Sequence, residues 1–188
     1  MSGEPVELQW TPVYAHMVMP MSAVTLPGET RPWLVANSAG GGLKLVDPVA
    51  GTVINGWLQG WGGPASCQAV HEFGGPDQWF VHAGAIGIGC ARLVDDAWRN
   101  GSRAASAIWA EGWYKRTDGE TRAVAVDDFD GDGTREILTG NETGFLVCYS
   151  HTGERLWKRL VRTPVNALLI ADVTGDGRPE LIVGGDDP

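Results

Sequence analysis

The chain has 188 residues, enough for one domain with a sizeable core, and its 27 Gly, 9 Trp and only 20% charged residues fit strands and tight turns better than long helices. With 14 Lys and Arg against 23 Asp and Glu, the net charge is −9, and a basic patch of the kind that general nucleic-acid binding needs is missing. No apolar run approaches the roughly 18 residues of a membrane-spanning helix, and the start, MSGEPVELQW, has neither the basic nor the apolar region of a signal peptide.

In chain order, residues 1–14 hold one short strand candidate, Val6 to Trp10. Residues 15–62 read as a complete four-strand unit: an inner strand from Met17 to Val24, a second strand after Arg31-Pro32-Trp33-Leu34, a third at Leu43 to Val46, and a last one ending near Trp57. Residues 63–116 read as a divergent unit, with an inner strand from Gln68 to Phe73, a second around Trp79, and the glycine-rich stretch of Gly84, Gly87 and Gly89 packing closely. Residues 117–164 are the best-formed unit. A fourth opens at 165–188, with strands for only half a unit, which residues 1–14 or a neighbouring chain complete.

The two last units share a pattern. AVAVDDFDGDGTREILTG (123–140) recurs as ALLIADVTGDGRPELIVG (167–184), so that Asp128, Asp132, Glu136 and Gly140 are followed 44 residues later by Asp172, Asp176, Glu180 and Gly184. A period of about 40–50 residues marks a repeat architecture. Each copy is an apolar strand, a carboxylate-rich loop with glycines, and a second apolar strand. Asp128, Asp130 and Asp132 repel one another unless a cation sits among them. Hard oxygens on a flexible loop suit Ca2+ better than Mg2+, which holds on to its waters. The EF-hand is excluded: counted from Asp128, its bidentate Glu belongs where Thr139 stands, and the flanks are strands. The ligand set expected for Ca2+ is Asp128, Asp130, Asp132, Thr134 and Glu136 in the first loop, and Asp172, Thr174, Asp176, Arg178 and Glu180 in the second. The competing reading of both loops is an ordinary Asp/Gly turn without metal. In the first two units Trp33 and Trp79 take the place of the acidic residue, and no calcium loop is expected there.

DFDGDGTREILTG and DVTGDGRPELIVGG resemble FG-GAP/VCBS-type β-propeller repeats, and GFLVCYSHTGERLWKRL resembles the strand–turn–strand of PQQ-like propeller repeats. The resemblance covers about residues 121–188. It implies an all-β propeller of about four blades, or a half-propeller that pairs into a larger ring as a homodimer, and it implies Ca2+ in the DxDGDG loops. Such loops favour an extracytoplasmic setting.

A catalytic set is harder to find. There is no GxSxG elbow, no Cys–His frame, and no pair of histidines at metal-ligand spacing among His16, His71, His82 and His151. Cys67, Cys90 and Cys148 match no zinc pattern and read as buried thiols. Arg155, Lys158, Arg159 and Arg162 gather at one blade edge and read as a solvated outer strand. The binding-surface candidates are His71, beside Glu72 at a strand end, and Trp57 and Trp61 in GWLQGWGG; Trp98, Trp109 and Trp113 also fall in or near loops, although packing between blades is the commoner role of such residues. The expected function is a non-catalytic, calcium-stabilised scaffold for a protein or glycan partner. The alternative is a carbohydrate-active propeller, a fragment similar to rhamnogalacturonan lyases.

Overall fold

The computed structural model describes residues 18–26, 29–38, 43–54, 65–72, 78–85, 87–92 and 112–186. All regular structure among them is β. The strands are β1 (Val18–Val24), β2 (Trp33–Ser38), β3 (Leu43–Val46), β4 (Val53–Ile54), β5 (Ala65–Glu72), β6 (Gln78–Gly84), β7 (Gly87–Arg92), β8 (Trp113–Arg116), β9 (Thr121–Asp127), β10 (Glu136–Asn141), β11 (Phe145–Tyr149), β12 (Arg155–Leu160), β13 (Val165–Ala171) and β14 (Glu180–Gly185). They form antiparallel sheets in the orders β1-β2-β3-β4, β5-β6-β7-β8, β9-β10-β11-β12 and β13-β14. No helix among the described residues is long and apolar enough to cross a membrane.

The first two strands of every sheet share one register. Val24 faces Trp33, His71 faces Trp79, Asp127 faces Glu136 and Ala171 faces Glu180. Trp33 and Trp79 therefore occupy the backbone position of the two loop glutamates. Trp33 is buried and Trp79 packs on the core. Where the later sheets carry a carboxylate, the earlier ones place an indole.

The sheets stack in series through their inner strands, β1 on β5, β5 on β9 and β9 on β13. Among the described elements β13 and β1 do not pack on each other in this way. Between the second and third sheets lies a core of Val81, Ile88, Cys90, Val126, Ile137 and Val147. Ile88 and Ile137 are fully buried, and each such side chain contributes about 1.5–3 kcal/mol relative to an exposed one. Trp113 joins this core from β8. Its indole N–H donates to the carbonyl of His151 at 2.7 Å, and its ring stands 6.0 Å from that of Tyr149. Trp113, at the very start of β8, takes the packing role: its ring holds two sheets together.

A second core of Ala123, Leu146 and Val165 joins the third sheet to β13–β14. Val165 seats on Gly140, where any Cβ would collide with its side chain. Beyond that seam the packing stops. Leu169 and Ile182 are cross-strand partners, and they are 56% and 38% exposed. Leu138, which stands in the third sheet where Ile182 stands in the last, is completely buried.

Candidate metal centre

The two acidic loops fold alike because their glycines and aspartates fall at the same steps. Gly131 and Gly133 adopt φ of 78° and 89°, and Gly175 and Gly177 adopt 75° and 84°, in the left-handed region that glycine enters without a Cβ penalty. These turns aim backbone N–H groups at the first aspartate. Gly131 N donates to Asp128 Oδ1 at 2.8 Å and Gly133 N to Asp128 Oδ2 at 2.9 Å. Gly175 N and Gly177 N repeat both bonds to Asp172 at 2.7 and 2.8 Å. Farther along, Thr134 N donates to Asp132 Oδ1 at 2.7 Å and Arg178 N to Asp176 Oδ1 at 2.9 Å.

The glutamate closes each loop from the start of the next strand. Phe129 N donates to Glu136 Oε2 at 3.3 Å. In the second loop Val173 N and Thr174 N donate to Glu180 Oε2 at 2.9 and 3.2 Å, and the Thr174 hydroxyl donates to Glu180 Oε1 at 3.1 Å.

Of the residues expected as ligands, the fold brings Asp128, Asp130 and Glu136 together, with carboxylate oxygens all within 4.8 Å of one another. In the second loop the trio is Asp172, Asp176 and Glu180, its middle member at the step of Asp132 rather than of Asp130. Asp132 stands outside the first trio, Thr134 and Arg178 enter their loops as backbone donors, and Thr174 turns its hydroxyl onto Glu180. Both donor sets are hard oxygens held in place by backbone N–H groups on a loop, which fits Ca2+.

The loops differ in their surroundings. Phe129 packs edge-on against Trp157, ring centres 6.1 Å apart, while Val173 at the same step is 62% exposed. Glu136 is 3% exposed. Burial, reinforced by the neighbouring charges of Asp130, Asp132 and Asp128 and opposed by the Phe129 N–H, pushes its carboxyl up to about 7. A buried acid that resists ionisation beside three others is what a cation would relieve.

Among the other expected surface residues, His71 lies on β5 opposite Trp79, and Trp57, Trp61, Trp98 and Trp109 lie outside the described residues. Cys90 and Cys148 are buried free thiols, each pushed up to about 12 chiefly by burial. Asn141, at the end of β10, is also buried. Its side-chain oxygen accepts from Thr143 N at 3.2 Å and from Phe145 N at 2.8 Å, which ties a turn together.

Sequence reasoning did not find the cleft between the second and third sheets, of about 100 Å3, lined by Arg116, Asp118, Tyr149, Arg155 and Lys158 among others. Its cations are far apart in sequence, and only Arg155 and Lys158 stood out there.

Serial antiparallel sheets packed face to face define a β-propeller fold. Comparison with known proteins agrees. The chain is similar to the crystal structure of BBS1N in complex with ARL6DN, with a TM-score of 0.60 at 15% identity over 90% of this chain and 49% of that one. It is similar as well to the computationally designed Ika4 protein, with a TM-score of 0.60 at 14% identity over 98% of this chain and 100% of that one. At these identities the likeness is one of fold. In sequence it is 31% identical over 94 residues to the KICSTOR complex protein ITFG2 of Bos taurus, a match that spans 50% of this chain and 15% of that protein. No family model matches.

Proposed function

We propose that this chain is a calcium-stapled β-propeller scaffold of the FG-GAP/VCBS repeat type that binds a protein partner. The observation that carries the reading is the recurrence of one loop geometry: the same glycine conformations, the same backbone bonds to the first aspartate, and a trio of carboxylates within 4.8 Å in each copy. Mutual repulsion makes such a trio costly without a cation, and a cation turns it into a clamp between the first two strands of its sheet.

A protein partner is favoured over a glycan by two facts. The similar proteins carry names of assemblies, a KICSTOR complex protein and BBS1N in complex with ARL6DN. Trp33, Trp79 and Trp113 are spent on packing rather than on a stacking platform. The described carboxylates of the loops are held by backbone donors, and none of them is bonded to a histidine in an acid–base pair.

Among the described residues, the exposed Leu169–Ile182 face and the unjoined β1 and β13 describe an open arc. Residues 1–14, which lie outside the described residues, or a neighbouring chain complete the last sheet and close the ring.

Native mass spectrometry with and without EDTA tests the reading. Two bound Ca2+ per chain, removed by EDTA, support it. A chain that stays calcium-free under saturating conditions refutes the clamp and leaves the loops as plain Asp/Gly turns.

A further inference from the structure

The cleft between the second and third sheets is built from parts that have no role in the calcium loops. Arg116, at the end of β8, enters from one side together with Thr117 and Asp118. Arg155 and Lys158 enter from β12 on the other. Arg155 and Lys158 are three residues apart and would point to opposite faces of a regular strand. They share the cleft because β12 carries an irregularity: Cys148 faces Trp157, but Tyr149 faces Arg155. A bulge of this kind re-aims a side chain, and here it turns Arg155 onto the face that already holds Lys158.

The cations are not equally committed. The Lys158 ammonium pairs with Asp118 and lies 3.6 Å from the centre of the Phe145 ring. Among the described residues neither Arg116 nor Arg155 forms an ion pair, although the charge of Arg155 also acts on Asp118. Tyr149 lines the same cleft; burial pushes its phenol upward, so it stays a neutral donor. The lining thus carries three cations against one carboxylate, on a chain whose net charge is −9.

The cleft, mostly polar, also has an apolar part. Phe145 and Val147 line it. Leu160, cross-strand from Phe145, is 53% exposed beside it. β12 is the outer strand of its sheet among the described residues, bonded to β11 alone.

We infer that this cleft, between β8 and the bulged β12, is a docking site for an acidic segment of a protein partner, taking a Glu or Asp side chain between Arg116 and Arg155. The inference rests on the protein-binding reading above and names the chemistry of the partner. The size of the cleft suits one carboxylate and its short apolar stem. Asp118 at the rim works against a dianion such as phosphate more than against a single carboxylate. The exposed Leu160 and the open edge of β12 suit an extended segment in which acidic and apolar residues alternate, added beside the strand.

The test uses the full chain in saturating Ca2+ and a blocked octapeptide of alternating Glu and Leu, followed by fluorescence anisotropy and by amide shifts of residues around the cleft. Saturable binding is expected, weaker by at least about tenfold for the Arg116→Ala/Arg155→Ala variant and for a peptide with Gln in place of Glu, and weaker with added salt. Both arginines are exposed, so circular dichroism of the variant is expected to match the parent. Unchanged binding of the Gln peptide, indifference to the double variant, or no saturation up to about 1 mM peptide overturns the inference. Inorganic phosphate competing as strongly as the acidic peptide overturns it too, since the cleft would then be a simple anion hole. Calcium occupancy measured on the same sample separates failure of the cleft from failure of the clamp.

Discussion

Replacing Glu136 by Gln has opposite consequences with and without calcium. In the metal-free protein the Glu136 carboxyl titrates at about 7, raised from 4.5 first by burial and then by Asp130. The folded state therefore holds this proton more tightly than the unfolded chain does. The stabilisation is full below pH 4.5 and is lost as pH rises towards 7. Each pKa unit is about 1.4 kcal/mol, so the loss across the window is about 3 kcal/mol. For a chain of this size that is a fall of about 6–12 °C in melting temperature. Gln has no proton to lose, and its side-chain oxygen still accepts the Phe129 N–H. In EDTA, the melting temperature of E136Q is expected to rise relative to the parent's as pH goes from 5 to 8, and to lie above it at pH 8. In Ca2+ the gap closes, and at about a thousandfold excess over Kd the order reverses: the parent gains about 4.1 kcal/mol there, while the variant has lost a charged ligand. Melting curves followed by circular dichroism across pH, in EDTA and in Ca2+, read all four arms. A metal-free variant no more stable than the parent at pH 8 would falsify the account of Glu136, and equal calcium shifts in both proteins would remove it from the ligand set.

Two further predictions concern the core. His82 stacks on Phe80 at 5.7 Å, and burial holds its imidazole down at about 4. Its contribution is intact above pH 6.5 and falls by about 3 kcal/mol as pH drops towards 4; an NMR titration should show the ring neutral at pH 5.5, and a protonated ring there contradicts the burial. Gly140→Ala drives a methyl group into Val165 and is expected to cost about 1–3 kcal/mol in chemical denaturation. Gly184→Ala, at the same step of the last sheet, meets only Ala167, its methyl at 3.4 Å and its carbonyl oxygen at 3.9 Å, and should be close to neutral. Equal costs at the two sites would mean that the seam is not where Val165 places it.

The third and fourth sheets were legible in the sequence because both kinds of local signal agree there. Alternating β-formers flank a turn whose glycines sit where positive φ is needed, and the 44-residue offset aligns the two copies. The substitution of Trp33 and Trp79 for the glutamates was legible as well, since register is fixed by the pleat once the loop is aligned. For Trp113 the sequence offered the neighbourhood of a loop and packing as the commoner role, but not the partners: the His151 carbonyl and the Tyr149 ring belong to the third sheet, far along the chain. The cleft was illegible because a bulge decides it. From spacing alone, Arg155 and Lys158 lie on opposite faces, and nothing local in the sequence around Arg116 brings it to meet them.

The two acidic loops share a sequence pattern and a hydrogen-bond skeleton, yet their carboxylates sit in different fields. Glu136 is buried because its sheet face, with Leu138 and Gly140, is covered from the side of β13. Glu180, Ile182 and Gly184 make the same face of the last sheet, and Ile182 is exposed there. The neighbouring sheet, then, rather than the loop itself, sets how strongly a site needs its cation. Covering the Leu169–Ile182 face would desolvate Glu180 as Glu136 is desolvated and raise the cost of leaving the second loop empty. Linkage makes that effect reciprocal: calcium in the second loop must favour whatever covers the face. Native mass spectrometry at limiting calcium is expected to show one ion on the open chain, in the loop that Phe129 and Trp157 brace, and full occupancy of both loops in any closed assembly. Calcium filling both loops of the open chain at the same concentration would show that the covering sheet does not tune the site.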